Sequence, residues 1–242
     1  MFIIRLKKLI EALVSWRPLK PLLLHGVLAS FEHKYVLSMG FETIVDIGAN
    51  KGQFALAARH FSPSAMIIAF EPLIGPATMF NKIFAGDTRV SLHCVAISDE
   101  CGTLKMHISK REDSSSLLPI SAAQERLYPG TGEASTLDVD VGPLGNYVSK
   151  SDIRGKSLLK LDVQGYEYQV LMGCYDLINQ FSYVYCEASF LELYSNQKLA
   201  RDVIEWMRVN GFFLAGAYNF SYSKMNGQAI QADLLFKRED ID

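Results

Sequence analysis

The sequence predicts an α/β protein built on a mainly parallel β-sheet, and three observations support this. From about residue 41 onward, short apolar blocks that suit strands alternate with segments of helical periodicity. Strands separated by helices form βαβ units, whose right-handed crossovers produce a parallel sheet. The chain has 242 residues, 49% of them hydrophobic, which is enough for one domain with a sizeable core. A net charge of -2 gives no positive field for bulk nucleic-acid binding.

The N-terminal part predicts a helical extension over residues 1–40, before a main domain over residues 41–242. Residues 1–17 have an apolar helical face interrupted by charges, which disrupt the apolar core of a signal peptide. This helix is predicted to pack on the domain or on a partner chain, or to make peripheral contact with an anionic membrane. Pro18 and Pro21 are predicted to end it. No apolar run approaches the roughly 20 residues of a membrane-spanning helix.

The main domain is predicted to alternate strands and helices in a regular order. Strands are expected at 43–48, 65–72, 90–98, 102–109, 135–141, 157–165 and 181–190, with two antiparallel strands at 212–223 and 228–238. Helices are expected at 53–61, 76–84, 144–151, 166–178 and 196–210. A hairpin is expected between the strands at 90–98 and 102–109. Residues 110–135 form a long polar loop, either a mobile flap over a ligand or a solvated loop.

Acidic residues follow the predicted strands at the ends where ligands bind. In open parallel sheets, ligands lie outside the carboxyl ends of the strands, at the point where strand order reverses. Four of these ends carry Asp46, Glu71, Asp162 and Glu187, and Asp99 follows another. Neutral turn residues would be expected at several of these ends if the acids had only a structural role.

The segment "VDIGANKGQF" predicts close approach of backbone to a ligand. Gly48, Ala49 and Gly52 are small, and glycine tolerates positive φ. The dinucleotide pattern G-x-G-x-x-G is not matched, because Gln53 occupies the third glycine position. Asp46 would also oppose a pyrophosphate, which prefers the N–H groups of a helix N-terminus. An acid here suits a ligand with a cationic group, such as the amino and sulfonium groups of S-adenosylmethionine (SAM).

The next two strand ends predict the binding of an adenosine. Glu71 ends the second strand before Pro72, where its carboxylate can accept hydrogen bonds from both ribose hydroxyls. Dinucleotide enzymes use the same placement, so this position indicates adenosine without choosing the cofactor. Ala96, Ile97 and Ser98 end the third strand and are candidate contacts of the adenine ring.

Several motifs in fixed order resemble the FkbM-type SAM-dependent methyltransferases. They are "VDIGANKGQF", "AFEP", "VAISDECGTLKM", "DSSSLL", "STLD" and "LLKLDVQGYEYQVLMG", within residues 41–190. The resemblance implies a three-layer Rossmann-like fold, with a seven-stranded, mostly parallel sheet and an antiparallel C-terminal strand. It also implies that Asp46, Gly48, Asn50 and Gly52 hold the methionine part of SAM, and that Glu71 holds the ribose. Such enzymes typically methylate hydroxyls of sugars or other small metabolites.

One position departs from the family, whose fourth strand usually continues D-V-E-G. Here the sequence reads "DVQG", so Gln164 can form hydrogen bonds but cannot accept a proton. Asp162 is predicted as the leading base or substrate anchor and Glu187 as the second. The two acids could share a divalent cation, but no metal is predicted. Lys160 lies on the same sheet face as Asp162, two residues earlier, and is expected to be paired structurally.

The predicted function is therefore SAM-dependent methylation of a hydroxyl on a glycan or small metabolite. The alternatives are a non-catalytic SAM-binding module and a nicotinamide-dependent oxidoreductase. Tyr166 and Tyr194 are the aromatic residues expected to line an acceptor pocket. The four cysteines form no CxxC pair and predict a reduced, cytoplasmic protein. The sequence leaves the acceptor and the oligomeric state open.

Overall fold

A computed structural model describes the backbone of residues 16–239 and the side chains from residue 21 onward. The predicted amphipathic segment at residues 1–17 lies outside the described residues, except for the backbone of its last two. Within residues 16–239, no helix is long and apolar enough to cross a membrane.

The main sheet has seven strands and a single reversal of strand order. The ten strands of the chain are β1 Thr43–Ile47, β2 Met66–Phe70, β3 Val90–His93, β4 Ala96–Ile97, β5 Gly102–Ser109, β6 Glu133–Gly142, β7 Ser157–Leu161, β8 Tyr183–Ser189, β9 Phe212–Tyr222 and β10 Ala229–Arg238. The main sheet runs β3-β2-β1-β7-β8-β10-β9, and β10 is antiparallel to both of its neighbours. Strands β4, β6 and β5 form a smaller second sheet. This confirms the predicted α/β fold, with its seven-stranded sheet and antiparallel C-terminal strand.

Helices cover both faces of the main sheet. They are α1 Trp16–His25, α2 Lys34–Leu37, α3 Gln53–Phe61, α4 Ile74–Ile83, α5 Ala122–Leu127, α6 Glu167–Gly173 and α7 Ala200–Val209. Successive strand residues enter different cores, as expected from strand alternation: Val45 and Leu159 belong to one apolar cluster, and Ile44 and Leu158 to the other. The sheet is therefore buried on both sides, which explains the continuous apolar runs of its central strands.

Residues 27–41 pack in the same core as β1 and α3. Phe31 and Leu37 are buried there, and the Ser30 N–H donates to the Gln53 carbonyl at 3.0 Å. The predicted division of the chain at residue 40 stays a prediction, but this part of the proposed extension forms one wall of the main domain.

Two strand predictions are wrong in detail. The apolar run at 90–98 is not one strand, because β3 ends at His93 and β4 leaves it to join the second sheet. The hairpin between residues 90–98 and 102–109 does not form. Instead β5 pairs antiparallel with β6 along its whole length, from Gly102 opposite Val141.

Three helix predictions are also wrong in their limits. Helix α1 runs through Pro21 to His25, at the cost of one backbone hydrogen bond. Residues 144–151 contain two short 3-10 turns, Leu144–Asn146 and Lys150–Asp152, because serine and asparagine side chains compete there for backbone groups. Helix α6 ends at Gly173, where a Cβ would overlap the backbone of Ser98.

Candidate active site

A cavity lies at the carboxyl ends of β1, β2 and β7, where strand order reverses. The chain leaves β1 towards β2 and β3 on one side, while β7 leads to β8 on the other. Predicted site residues that line this cavity are Gly48, Ala49, Asn50, Glu71, Pro72, Ala96, Ile97 and Asp162. The lining does not include the other four predicted site residues, which are Asp46, Gly52, Ser98 and Glu187.

The turn after β1 explains the alternate spacing of its small residues. Gly48, Asn50 and Gly52 all have positive φ, at 79°, 48° and 91°. Only glycine fits at position 48, because a Cβ there would overlap the carbonyl of Asp162 at the end of β7. Asparagine is among the few other residues that adopt this region readily. The turn therefore brings its backbone close to β7 and then starts α3 at Gln53.

Glu71 is a buried carboxylate that faces the cavity. Its Oε2 accepts the Asn50 N–H and its Oε1 accepts the Leu73 N–H, both at 2.9 Å. Burial raises the pKa of Glu71 to about 7, although these two backbone hydrogen bonds lower it. Each carboxylate oxygen keeps a lone pair for a further donor. The arrangement fits the two adjacent hydroxyls of a ribose.

An apolar slot continues from Glu71 towards the second sheet. Its walls are Phe70, Val95, Ala96, Ile97, Met106, Leu117 and Val170, all on the lining of the cavity. Ser98 lies behind this wall, fully buried, with its Oγ 3.0 Å from the Tyr166 hydroxyl. Tyr166 lines the cavity, so Ser98 can affect a ligand only through its hydrogen bond to the Tyr166 hydroxyl. The slot has the apolar character that an adenine ring requires.

Asp46 is neutralised by a lysine rather than open to the cavity. Its carboxylate is completely buried, and Oδ1 lies 2.9 Å from the Lys160 ammonium. Burial raises the pKa of Asp46, and the charge of Lys160 offsets part of that rise. Lys160 also donates to the Gly48 carbonyl at 3.0 Å and lines the cavity. Any effect of Asp46 on a bound cofactor therefore passes through Lys160 and the glycine turn.

Gln164 joins the two predicted catalytic acids. Its Nε2 donates to Asp162 Oδ1 at 2.8 Å and to Glu187 Oε2 at 3.0 Å. Its Oε1 accepts the Tyr194 hydroxyl at 3.1 Å. Glu187 Oε2 also accepts Gln231 Nε2 at 3.1 Å. The amide thus occupies the space between the two carboxylates that a shared cation would need.

The two acids differ in their access to the cavity. Asp162 lines it, with 41% of its side chain exposed, and its Oδ2 lies 3.8 Å from Lys160. Glu187 lies behind Gln164. Burial and the negative charges of Asp162 and Asp233 raise the pKa of Glu187 well above its usual range. Of the two predicted acids, only Asp162 can touch an acceptor directly.

Glu167 is a structural acid of the site that the sequence reading did not assign. It is buried at the first turn of α6 and accepts the N–H groups of Val163 and Gly165, both at 3.1 Å. Burial raises its pKa to about 7, although these hydrogen bonds lower it. The signal was present in "DVQGYE", because an acid in the first turn of a helix often accepts free backbone N–H groups.

The serine-rich segment folds over the cavity and is tied down. Ser114, Ser115 and Ser116 are buried, and the Tyr194 hydroxyl donates to the Ser114 carbonyl at 3.1 Å. Glu112 lies on the cavity lining and forms a 3.1 Å ion pair with Lys51 of the glycine turn. These contacts identify a cover over the cavity rather than a freely solvated loop.

The charges around Lys160 suit a cationic ligand. Burial lowers its pKa, but the carboxylates of Asp46, Asp162 and Asp233 together raise it. One ammonium thus lies near three carboxylates, so a net negative charge remains that suits the amino and sulfonium groups of SAM. With Glu71 for the ribose and the apolar slot for adenine, the residues present fit all three parts of this cofactor.

Sheet order, glycine turn and cavity chemistry together define a SAM-dependent methyltransferase. Residues 46–214 match the family model described as Methyltransferase FkbM domain, and the chain belongs to this family. The predicted family, enzyme class and cofactor are thereby confirmed.

Two curated relatives are similar over much of the chain. The 2-O-methyltransferase NoeI of Sinorhizobium fredii is 26% identical over 168 residues, which cover 67% of this chain and 69% of NoeI. The methyltransferase sdnD of Sordaria araneosa is 30% identical over 156 residues, which cover 54% of this chain and 59% of sdnD.

A solved structure shares the fold at low identity. It is Sp1610 of Streptococcus pneumoniae, determined in complex with S-adenosyl-L-methionine. The TM-score is 0.51 and the identity is 9%, with 89% of this chain and 75% of Sp1610 covered. At this identity the likeness concerns the fold alone.

Proposed function

We propose that the chain methylates a hydroxyl of a sugar, glycan or other small polar metabolite. The observation that carries this proposal is Asp162, a partly exposed carboxylate at the end of β7 on the cavity lining. Gln53 also lies on the cavity lining and offers a polar side chain to a hydroxylated acceptor. The similarity to NoeI, named as a 2-O-methyltransferase, supports oxygen as the acceptor atom.

The cofactor supplies a methyl group already activated by its sulfonium. The chain must then hold the acceptor oxygen in line with the bond that breaks, and such positioning provides much of the rate. In this proposal Asp162 accepts a hydrogen bond from the acceptor hydroxyl. Gln164 fixes the rotamer of Asp162 through Oδ1, and Glu187 holds Gln164 from behind. Glu71 and the turn at Gly48–Gly52 hold the cofactor.

The predicted cytoplasmic location and division at residue 40 belong to the same proposal. All four cysteines are free thiols, as expected for a protein kept in a reducing compartment. The wall formed by residues 27–41 places Leu28, Ser30 and His33 on the cavity, so the predicted extension would contribute to acceptor binding.

The test is an assay with methyl-labelled SAM and a panel of methyl glycosides of hexoses and 6-deoxyhexoses, with simple polyols added. Products are analysed by mass spectrometry for a methyl ether. We expect at least one acceptor to be methylated, and Asp162→Asn to lower the rate by about tenfold or more, the effect of losing one charged hydrogen bond. Asp176→Asn, at an exposed position away from the cavity, is the matched control.

Two outcomes would contradict this proposal. The first is SAM binding without methylation of any hydroxyl in the panel, when an amine or thiol panel is methylated instead. The second is full activity of Asp162→Asn, which would remove Asp162 from the acceptor site.

A further inference from the structure

His33 lies on the cavity wall beside the carboxylate of Asp233, 13% of whose side chain is exposed. Its Nδ1 is 3.1 Å from the Tyr185 hydroxyl and 3.4 Å from Asp233 Oδ2. The Tyr185 hydroxyl donates to Asp233 at 3.0 Å, and Asn219 Nδ2 donates to the same oxygen at 2.7 Å. The imidazole edge also packs against the ring of Phe54, with centroids 5.3 Å apart. Asn219 Nδ2 also lies 3.3 Å from His33 Nδ1, so four parts of the chain contact this ring.

These contacts determine the tautomer of His33. The Tyr185 hydroxyl donates to Asp233, so its oxygen can accept a hydrogen bond from His33 Nδ1 at 3.1 Å and from Asn219 Nδ2 at 3.2 Å. Asp233 can only accept as well. Although burial raises the pKa of Asp233, hydrogen bonds from His33, Asn219 and Tyr185 hold it below its usual value. Nδ1 thus faces two acceptors, Tyr185 and Asp233, and one donor, the Asn219 amide at 3.3 Å, which already donates to Asp233. We therefore assign the proton of the neutral imidazole to Nδ1 and the lone pair to Nε2.

Nε2 is the free nitrogen of this ring. No residue within the described part of the chain forms a hydrogen bond to it, and His33 contributes to the cavity lining. His33 and Lys160 both contact the Phe54 ring, whose centroid lies 5.3 Å from the imidazole centroid and 5.5 Å from the Lys160 ammonium. His33 thus lies on the same part of the cavity as Lys160, whose ammonium is 3.8 Å from Asp162 Oδ2.

We propose that His33 is the general base of the methyl transfer and that Asp233 is its positioning residue. This inference rests on the proposed function, the methylation of a hydroxyl. The acceptor oxygen forms the new bond to the methyl carbon, and the carbon–sulfur bond breaks with its electron pair on sulfur. The hydroxyl proton passes to Nε2. The resulting imidazolium is stabilised by Asp233, as in other carboxylate–histidine pairs.

The two acids predicted from the sequence are less suited to take this proton. Asp162 already accepts a hydrogen bond from Gln164 and lies beside the ammonium of Lys160, an arrangement that suits an anchor. Glu187 is separated from the cavity by Gln164. His33 has neither limitation, because its Nε2 accepts no hydrogen bond from the described residues and the ring lies on the cavity lining.

The charged groups that face His33 come from several elements. Asp233 and Tyr185 approach it from β10 and β8, and Asp46 and Lys160 act from β1 and β7. Glu32 and Lys34 are its neighbours in the chain. Only a pH dependence of kcat that His33→Gln removes is therefore assigned to the imidazole.

The activity test compares variants on the best acceptor of the panel. We expect His33→Gln to lower kcat by about 100-fold or more, the usual contribution of a general base. Asp233→Asn should lower kcat by about tenfold, because the imidazolium loses its charged partner. At saturating SAM, which removes the effect of Glu71 on cofactor affinity, the kcat of the wild type should fall as the pH falls, and His33→Gln should lose that limb. Affinity for S-adenosylhomocysteine should stay within about twofold in both variants.

His107→Gln is the matched control. His107 also pairs through Nδ1 with a carboxylate, Glu133, at 2.7 Å, but neither residue lines the cavity. Its activity and pH profile should equal those of the wild type. If His33→Gln keeps the wild-type kcat and pH limb, the proposal is overturned.

A second readout needs no acceptor. In nitrogen-15 NMR spectra of the wild type at pH 8.5, the resonances absent from His33→Gln should show a protonated Nδ1 and an unprotonated Nε2. Asp233→Asn should reduce the Nδ1–H fraction. The opposite tautomer would refute the assignment of the base even if methylation is observed. If the tautomer is as expected but no hydroxyl is methylated, the dyad stands and the proposed function is wrong.

Discussion

Replacement of Lys160 by methionine would isolate the buried charge of Asp46. Methionine keeps most of the apolar stem of the lysine but removes the ammonium that lies 2.9 Å from Asp46 Oδ1. Asp46 has no exposed surface, and no other cation in the described residues is paired with it. Its carboxylate must then stay charged without a partner or bind a proton.

The cost can be bounded from the proton equilibrium. An unfolded aspartate has a pKa of about 3.9, and each pH unit above it adds about 1.4 kcal/mol to the cost of protonation. The upper limit is therefore about 5.6 kcal/mol at pH 8 and about 2.2 kcal/mol at pH 5.5. Loss of one partner from a buried pair costs about 3–5 kcal/mol. We expect Lys160→Met to lose about 3–5 kcal/mol at pH 8 and about 2 kcal/mol or less at pH 5.5.

The sign follows from the protons bound in each state. In the variant, native Asp46 keeps a proton that the unfolded chain has released above about pH 4, so stability falls as the pH rises. Urea unfolding followed by tryptophan fluorescence measures this at both pH values. The double variant Asp46→Asn/Lys160→Met should lose the extra pH dependence. Lys156→Met is the control, because that ammonium contacts the Met39 carbonyl rather than a buried acid. An equal loss at both pH values would show that packing, not charge, is the cause.

Three further predictions concern the cavity. Because the pKa of Glu71 is raised to about 7, calorimetry should show weaker binding of S-adenosylhomocysteine at pH 6 than at pH 8. Glu71→Gln should weaken S-adenosylhomocysteine binding about tenfold at pH 8 and reduce its dependence on pH. If the variant keeps the pH dependence of the wild type, Glu71 does not hold the ribose. Gln164→Glu adds a carboxylate within 3.0 Å of Asp162 and Glu187, so thermal unfolding should show a larger loss of stability at pH 8 than at pH 6. A variant as stable as the wild type at pH 8 would mean that these acids are not both charged. Lys51→Ala removes the ion pair with Glu112 and should change the free energy of unfolding by about 1 kcal/mol at most. Because the cover is then less firmly held, stopped-flow traces should show cofactor release several-fold faster. An unchanged release rate would show that the ion pair does not hold the cover.

The sequence predicts the elements that local pattern determines. The apolar run before Asp46 becomes β1, and the periodic segment after Gly52 becomes the helix Gln53–Phe61 with the predicted limits. The run at 90–98 is different, because its division after His93 depends on the second sheet that β4 joins. Pairing with β6, more than 40 residues away, cannot be read from the run itself.

The site shows the same limit more clearly. Acids at the strand ends were predictable, since each follows its own strand. The partners of the site residues were not predictable. The register of β1 against β7 brings Asp46 to Lys160, and the fold brings His33 to Asp233. The five histidines look scattered along the sequence, and only the fold separates the one on the cavity from the others.

The amide at position 164 has a consequence for how the chemistry is divided. A carboxyl group there could hydrogen-bond to both Asp162 and Glu187 only if the three acids shared protons, which would couple the site to pH. The Gln164 amide donates both hydrogens at any pH, so it fixes Asp162 without a proton of its own. Asp162 then serves as a constant anchor, and proton transfer is left to a group that titrates separately. His33 pairs with Tyr185 and Asp233, whereas Asp162 is held by Gln164, so the proton of His33 can change without loss of the hydrogen bond that holds Asp162.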